Sequence, residues 1–157
     1  MAKPSRNSSA SDVIAGARTF FVTSKACGAG LLQSERMAAL LIDVLRSYAA
    51  AGKFKVHDFV VMPDHLHVLL TVGESSTIEK AMQFIKGGFS FRVKKELGYL
   101  GEVWQRGFSE VRVMDRESFL NHRNYIDENP VKARLVDAAE IFPFGSAYFK
   151  KQRERRG

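Results

Sequence analysis

The sequence predicts an α+β fold of the ferredoxin-like (RRM-like) class, with elements in the order β-α-β-β-α-β and a further helix toward the C-terminus. Two patterns carry this prediction. Short runs of β-branched and aromatic residues are bounded by turn signals, as in strands. Two longer segments repeat apolar residues every three or four positions, as in helices. We expect an antiparallel sheet with helices on one face and an additional C-terminal helix.

The first half of the chain supplies three strands and one helix. A strand is predicted at 17–24, and strands at 54–62 and 65–72 form a hairpin around Pro63-Asp64. Between them, Ser34 as N-cap and Gly52 as stop bound a helix. Its apolar face consists of Met37, Leu40, Leu41, Val44, Leu45 and Tyr48.

The second half of the chain is predicted to contain further helices and one strand. A second helix is predicted over 77–97, although Gly87-Gly88 weakens its middle. A fourth strand is expected within 103–113, then a helix at 118–128 that Pro130 ends. A further short helix is expected at 131–135.

Composition indicates one domain with a basic character. We expect the domain at 16–149, between a disordered segment at 1–15 and a mobile basic tail at 150–157. The net charge is +7, from 24 Lys and Arg against 17 Asp and Glu, which favours a polyanionic partner such as nucleic acid. A merely basic soluble protein is equally compatible with this charge.

The cysteine count and the hydropathy of the chain argue against several other classes of protein. Cys27 is the only cysteine, so neither an internal disulfide nor a cysteine-based zinc site can form. Charges interrupt every apolar run short of a membrane span, and the first residues lack the apolar core of a signal peptide. We therefore expect a cytoplasmic protein with no membrane partner.

Two histidines on the second hairpin strand form the first candidate site. Side chains alternate along a strand, so His65 and His67 share one face while Leu66 faces the other. Two imidazoles on one face can chelate a divalent cation such as Mn²⁺, Fe²⁺ or Zn²⁺. For the pair alone, two histidines that simply face water are the more common case. Leu69 excludes a third histidine at the next position on that face.

The predicted third helix carries the second candidate site. Tyr125 and Asn129 are four residues apart and share a helix face. A phenol beside a metal-bound phosphate can attack phosphorus, and an amide oxygen can complete the coordination of a hard cation. The spacing also suits a tyrosine that packs its ring and an asparagine that ends a helix before Pro130.

Basic residues with interleaved aromatics are candidates for DNA contact. Trp104 would stack a base and Arg106 would hold phosphate or guanine, although a lone tryptophan is as often part of a core. The tail would add salt-sensitive affinity, or only solubility. The remaining candidates are Lys86, Arg92, Lys94 and Lys95 on the second helix and Arg153, Arg155 and Arg156 in the tail.

Several ordered segments resemble the IS200-type Y1 transposases of the HUH superfamily and, more narrowly, the REP-associated tyrosine transposases. The matching segments are FFVTS at 20–24, FVVMPDHLHVLLTV at 59–72, AMQFIKGGFSFRVKKELG at 81–98, GEVWQRGF at 101–108 and YIDENPVKARLV at 125–136. The resemblance spans the chain between its two ends. One departure is Phe144-Gly145-Ser146, which stands where relatives carry a Trp-Ser-Ser stretch.

The resemblance implies a role for each candidate. His65 and His67 match the HUH metal ligands and Tyr125 the nucleophile, while Asn129 falls where relatives often carry glutamine as a third ligand. It implies one divalent metal ion, Mg²⁺ or Mn²⁺, and single-stranded or hairpin DNA as partner. The reaction would form a 5′-phosphotyrosine without ATP, in a monomer or homodimer.

Two other readings of the residues remain open. The chain could be a non-catalytic module that binds single-stranded nucleic acid on its sheet, as ferredoxin-like domains do with exposed aromatics. It could also be a metal-dependent phosphodiesterase in which water replaces Tyr125 as nucleophile.

Overall fold

The structure, a computed structural model, describes residues 16–156 and contains a four-stranded sheet with four α-helices. The predicted disordered segment 1–15 lies outside the described residues. The strands are β1 (Arg18–Lys25), β2 (Lys55–Met62), β3 (His65–Val72) and β4 (Ser109–Val113). The helices are α1 (Glu35–Ala50), α2 (Ile78–Leu97), α3 (Arg116–Lys132) and α4 (Ser146–Arg156), with short 3-10 turns at Leu31–Gln33 and Ala139–Ile141.

The sheet confirms the predicted fold class. Its spatial order is β2-β3-β1-β4, and each neighbouring pair is antiparallel. This is the arrangement expected when two β-α-β units interleave their strands. The predicted hairpin is present as β2 and β3, whose register runs from Met62 opposite His65 to Lys55 opposite Thr71.

The two faces of the sheet are covered by different helices. One face contributes Phe20, Val22 and Val68 to the larger core, together with α1 and α2. The opposite face contributes Val60 and Leu69 to a smaller core that α3 closes with its fully buried residue Ile126. Helices α1 and α2 therefore share one face of the sheet, as predicted, and α3 is the additional helix on the other face.

Helix α2 is continuous across the two glycines that were expected to weaken it. Thr77 caps its N-terminus by accepting a hydrogen bond from the Lys80 backbone N–H. At Gly88, a Cβ atom would come within 2.6 Å of Tyr48 Cε2, whereas at Gly87 it would meet open space. Gly88 therefore allows the ring of Tyr48 on α1 to approach the α2 backbone.

Helix α3 is longer than predicted at both ends. Its N-cap is Asp115, and it continues through Pro130 to Lys132, so the prediction that Pro130 ends this helix was wrong. Proline removes one helical hydrogen bond and crowds the preceding turn, but the last turn is still held because Ala133 N–H donates to the Asn129 carbonyl. Pro130 is buried against the rest of the fold, which offsets its cost.

The C-terminal segment, for which we expected a mobile tail, is helical over Ser146–Arg156. Phe149 of α4 packs on Phe59, and the Arg46 guanidinium lies 4.2 Å from the ring centroid of Phe149. Ser146 Oγ accepts from the Phe59 N–H and donates to the Phe59 carbonyl. These contacts cover the outer edge of β2, which would otherwise expose unpaired backbone groups.

Two further observations complete the architecture. The fourth strand is shorter than predicted, and Trp104 joins the sheet only through a single bridge to Ala26. Within residues 16–156, no helix combines the length and apolar character needed to cross a membrane.

The paired glycines of α2 make a matched test of this packing. We expect Gly87→Ala to raise the free energy of unfolding by about 0.5–1 kcal/mol, because alanine has a higher helix propensity than glycine and the position is exposed. Gly88→Ala should lower it by about 1 kcal/mol, since the Tyr48 ring must be displaced. Urea denaturation of both variants measures the difference, and equal effects would contradict the close approach of α1 and α2.

Candidate active site

The predicted histidine pair lies on the face of the sheet that α3 covers. On β3, Leu66 points into the larger core, while His65 and His67 point the other way with Leu69. His67 stands opposite Thr23 of β1 and is only 5% exposed. The His65 side chain, at the end of the strand, is 24% exposed. The pair therefore lies at the rim of the smaller core.

Hydrogen bonds orient both rings. His65 Nδ1 lies 2.6 Å from Asp64 Oδ1, and His67 Nδ1 lies 2.8 Å from Thr23 Oγ1. We assign the ring proton to Nδ1 in each case, donating to these oxygens. Both Nε2 atoms are then unprotonated and carry a free lone pair. Partners of this kind typically orient metal-binding histidines.

The two Nε2 atoms face each other at 3.1 Å. Two lone pairs at this distance repel unless a proton or a cation lies between them. Two nitrogens that bind one cation at about 2.1 Å and at right angles are about 3.0 Å apart. The geometry of the pair therefore fits a divalent cation.

The protonation of His67 agrees with this fit. Burial, reinforced by the positive charge of a protonated His65, lowers the pKa of His67 to about 4. His67 is therefore neutral near pH 7, the form in which imidazole binds a metal. No cost of deprotonation opposes cation binding at this residue.

Helix α3 brings Tyr125 to the histidines of the same chain. The ring centroid of Tyr125 lies 5.4 Å from that of His67, and Phe21 packs against both rings. The tyrosine is 42% exposed. Its phenol is thus held beside the pair yet remains accessible from solvent.

Asn129 lies one helical turn after Tyr125 and is partly buried. Because α3 continues through Pro130, Asn129 keeps the helical spacing that places it on the side of Tyr125. In the described part of the chain, no three His, Cys, Asp or Glu residues are grouped so that they could hold a metal ion. The role of Asn129 as a third ligand, which the family resemblance implies, stays a prediction.

Two of the predicted DNA contacts, Lys86 and Trp104, are joined by a hydrogen bond. Lys86 Nζ donates to the carbonyls of Gln105 and Gly107, and Trp104 Nε1 donates to the Lys86 carbonyl. The Trp104 ring also packs on Phe89. These contacts hold the loop before β4 on α2.

The other predicted DNA contacts differ in whether their side chains are free to bind DNA. Arg92 already pairs with Asp43 and Glu96. The remaining predicted cations are exposed on three different elements: Lys94 and Lys95 on α2, Arg106 on the loop before β4, and Arg153, Arg155 and Arg156 on α4. Their contact with DNA stays a prediction.

Residues that the sequence analysis missed also border the site. Thr23 holds His67, and Phe21 packs against both His67 and Tyr125. Lys132 Nζ lies 5.9 Å from the centroid of the Tyr125 ring. The first two could be found only from the register of β1 against β3. Lys132 falls near Tyr125 because α3 does not stop at Pro130.

The buried, neutral state of His67 predicts a pH-dependent stability. Because its folded pKa is depressed, its contribution is present above its unfolded pKa and is lost as the pH falls through about 4. In metal-free buffer, the stability difference between wild type and His67→Gln should shift against wild type by about 3 kcal/mol from pH 7 to below pH 4. Urea denaturation at both pH values measures this, and a constant difference would contradict burial of the neutral ring.

Comparison with known proteins identifies the family. A family model described as "Transposase IS200 like" matches residues 21–129. A Haemophilus influenzae protein named "Putative REP-associated tyrosine transposase" is 25% identical over 133 residues, which cover 74% of this chain and 76% of that protein. The REP-associated tyrosine transposase of Escherichia coli K12 is 28% identical over 99 residues, which cover 59% and 54% respectively.

A solved structure supports the fold. The structure of a REP-associated tyrosine transposase bound to a REP hairpin matches with a TM-score of 0.69 at 24% identity, covering 98% of this chain and 87% of that one. At this identity the likeness shows the fold alone. The family model spans more than half of the chain and includes the histidine pair, Tyr125 and Asn129. This chain therefore belongs to the IS200-like transposase family and is a transposase enzyme.

Proposed function

We propose that this transposase cuts and rejoins single-stranded, hairpin-forming DNA through a covalent bond to Tyr125, with a divalent metal ion at the histidine pair. The observation that carries the proposal is the position of the Tyr125 ring, 5.4 Å from that of His67. A nucleophile and a candidate cation site thus lie side by side on one chain. The phenol is exposed, so a DNA phosphate can reach both.

The chemistry follows from these groups. Tyr125 Oη attacks the scissile phosphorus, forming an O–P bond as the bond from phosphorus to the 3′ oxygen breaks. The phenolic proton is lost and the 3′ oxygen gains one, which leaves a 5′-phosphotyrosine and a free 3′-OH. A divalent cation, Mg²⁺ or Mn²⁺, held by His65, His67 and Asn129 would polarise the phosphate and offset its developing charge. Attack by a 3′-OH reverses the step, so no ATP is needed.

The same geometry supports action in cis. Tyr125 reaches the histidines of its own chain through the packing of Ile126 on the sheet, without a second copy. One chain therefore contains each proposed catalytic group, and a monomer suffices for one cleavage.

Charge supports DNA as the substrate. The chain carries a net charge of +7, and exposed cations lie on α2, on α4 and at Arg106. Such a distribution favours a phosphate backbone through counterion release. The solved structural relative is described as bound to a REP hairpin, and we extend that class of partner to this protein.

The alternative of a non-catalytic module is less well supported. In such modules, exposed aromatics on the sheet bind the bases. Here α3 packs over β2 and β3 on one face of the sheet, where Ile126, Leu69 and Val60 are buried together. The large side chains exposed at this face include Val111 of β4 and Tyr125 of α3.

A covalent-adduct assay tests the nucleophile. Wild type incubated with labelled single-stranded hairpin DNA and Mn²⁺ should yield a protein–DNA adduct on denaturing gels, and Tyr125→Phe should yield none. Tyr99→Phe, which alters a tyrosine on the opposite side of the sheet, is the matched control and should retain the adduct. Cleavage that persists in Tyr125→Phe would favour water as nucleophile, and binding without cleavage in wild type would favour the module.

Substitution of Asn129 tests the third ligand. Asn129→Gln keeps the amide oxygen and should retain adduct formation, whereas Asn129→Leu removes it and should raise the Mn²⁺ concentration needed for half-maximal cleavage by about tenfold or more. A metal titration of adduct yield for both variants measures this. Identical titrations for Asn129→Leu and wild type would exclude Asn129 as a ligand.

A further inference from the structure

A lysine of β1 lies beside the histidine pair. In the register of β1 against β3, Lys25 stands directly opposite His65, and Thr23 stands opposite His67. Directly opposed residues of an antiparallel pair project to the same face of the sheet, with Cβ atoms about 4.5–5.5 Å apart. Lys25 therefore lies on the face of the sheet that carries the two histidines.

Hydrogen bonds on both sides hold the backbone at Lys25. Towards β3, the Ala26 N–H donates to the Asp64 carbonyl at 2.9 Å. On the other side, the Gln105 N–H donates to the Lys25 carbonyl, also at 2.9 Å. The end of β1 is thus fixed between β3 and the loop before β4. The direction in which the Lys25 side chain leaves the sheet is fixed with it.

The charge of Lys25 is available to a ligand. Its side chain is exposed, and none of the ion pairs within residues 16–156 includes it. The carboxylate beside the histidine pair, that of Asp64, already lies 2.6 Å from His65 Nδ1. A lysine and a metal ion on one face form the kind of clamp that stabilises a phosphoryl group as charge develops on it.

Tyr125 and Lys25 lie towards opposite ends of the site. Phe21 and Lys25 both project from β1 to the histidine face and are four residues apart, which is about 13 Å along a strand. The Tyr125 ring lies at the Phe21 end, with its centroid 5.8 Å from that of Phe21 and 5.4 Å from that of His67. The position opposite Lys25 belongs to His65, the more exposed member of the pair.

This arrangement matches the geometry of a displacement at phosphorus. The attacking and leaving oxygens lie roughly in line on opposite sides of the phosphorus atom. If the phenol of Tyr125 attacks from the Phe21 end, the leaving oxygen departs towards the end where Lys25 is located.

We propose that Lys25 is a catalytic residue, whose ammonium group donates a hydrogen bond to the 3′ oxygen that leaves the scissile phosphate. The proposal rests on the proposed role of Tyr125 as nucleophile. As the bond from Tyr125 Oη to phosphorus forms, the bond from phosphorus to the 3′ oxygen breaks. The electron pair stays on the 3′ oxygen, which takes a proton from water. Lys25 keeps its own protons and offsets the negative charge on that oxygen.

A rate measurement with matched lysines tests the proposal. The variants are Lys25→Met and Lys25→Arg, and the control is Lys55→Met, which alters an exposed strand lysine opposite Thr71 at the far end of the hairpin from His65. The readout is the single-turnover rate of adduct formation at saturating hairpin DNA and Mn²⁺. Because Lys25 and Lys55 are both exposed, no substitution removes a buried side chain.

We expect Lys25→Met to lower the adduct rate by about 10²-fold, because one donor to the developing charge is lost. Lys25→Arg should stay within about tenfold of wild type, since a guanidinium keeps the positive charge and the N–H donors. Lys55→Met should match wild type. A Lys25→Met rate within about threefold of that of Lys55→Met would overturn the proposal.

A modified DNA tests the leaving-group assignment. In a hairpin DNA with sulfur in place of the scissile 3′ oxygen, the leaving group is a thiolate, which departs more readily than an alkoxide and needs less stabilisation. The deficit of Lys25→Met relative to wild type should therefore shrink to less than about tenfold. An undiminished deficit on this DNA would show that Lys25 does not act on the leaving oxygen.

Binding without metal gives a readout that is independent of cleavage. In EDTA, the salt dependence of the Kd for DNA that spans the cleavage site should have a slope lower by about 0.7 for Lys25→Met, because one phosphate contact is lost. A hairpin that ends before the cleavage site should give equal slopes for wild type and Lys25→Met. Equal slopes on the spanning DNA, or a lower slope on both DNAs, would overturn the contact with the scissile phosphate.

The outcomes separate this proposal from the proposed function. Absence of any adduct in wild type contradicts Tyr125 as nucleophile. A normal adduct in wild type together with an unimpaired Lys25→Met contradicts only the role of Lys25.

Discussion

The register of β3 is the constraint on which the rest of the structure depends. Because side chains alternate along a strand, one register sends Leu66, Val68 and Leu70 into the larger core and leaves His65 and His67 on the opposite face. A slip of one residue would bury both imidazoles in the larger core and move three large aliphatic side chains to the face of the smaller core. The burial of the larger core therefore specifies where the histidines point, and their chemistry depends on packing behind the strand.

The second constraint is that the face with the histidines is only partly covered. Helix α3 closes it with Ile126 and leaves the end of β3 open, so His67 is desolvated while Tyr125 remains accessible. Desolvation keeps His67 neutral and its Nε2 available, and accessibility lets a phosphate enter. A helix packed further toward the strand end would occlude both groups. The candidate site thus depends on an incomplete second layer of the fold.

Local patterns were enough to predict much of this arrangement. Alternation along β3 predicted the shared face of the histidines, and helical spacing predicted that Tyr125 and Asn129 share a side. The course of α3 beyond Pro130 could not be predicted, because the cost of a proline is offset by its burial against distant residues. The helical C-terminal segment could not be predicted either. Helix α4 is held by Phe149 on Phe59 and by Ser146 on β2, and a run of charges does not indicate such contacts.

The surroundings of Asp58 show why distant contacts could not be predicted from the sequence. A β-bulge between Val56 and Asp58 interrupts the alternation of β2, so that His57 and Asp58 both contact partners on the α3 side. Strict alternation would send one of these two side chains to the opposite core. An acidic residue in a predicted strand suggests exposure, yet Asp58 is fully buried, and its ion-pair partner Lys150 lies far along the chain. A bulge in an edge strand thus places Asp58 beside Lys150 of the C-terminal helix.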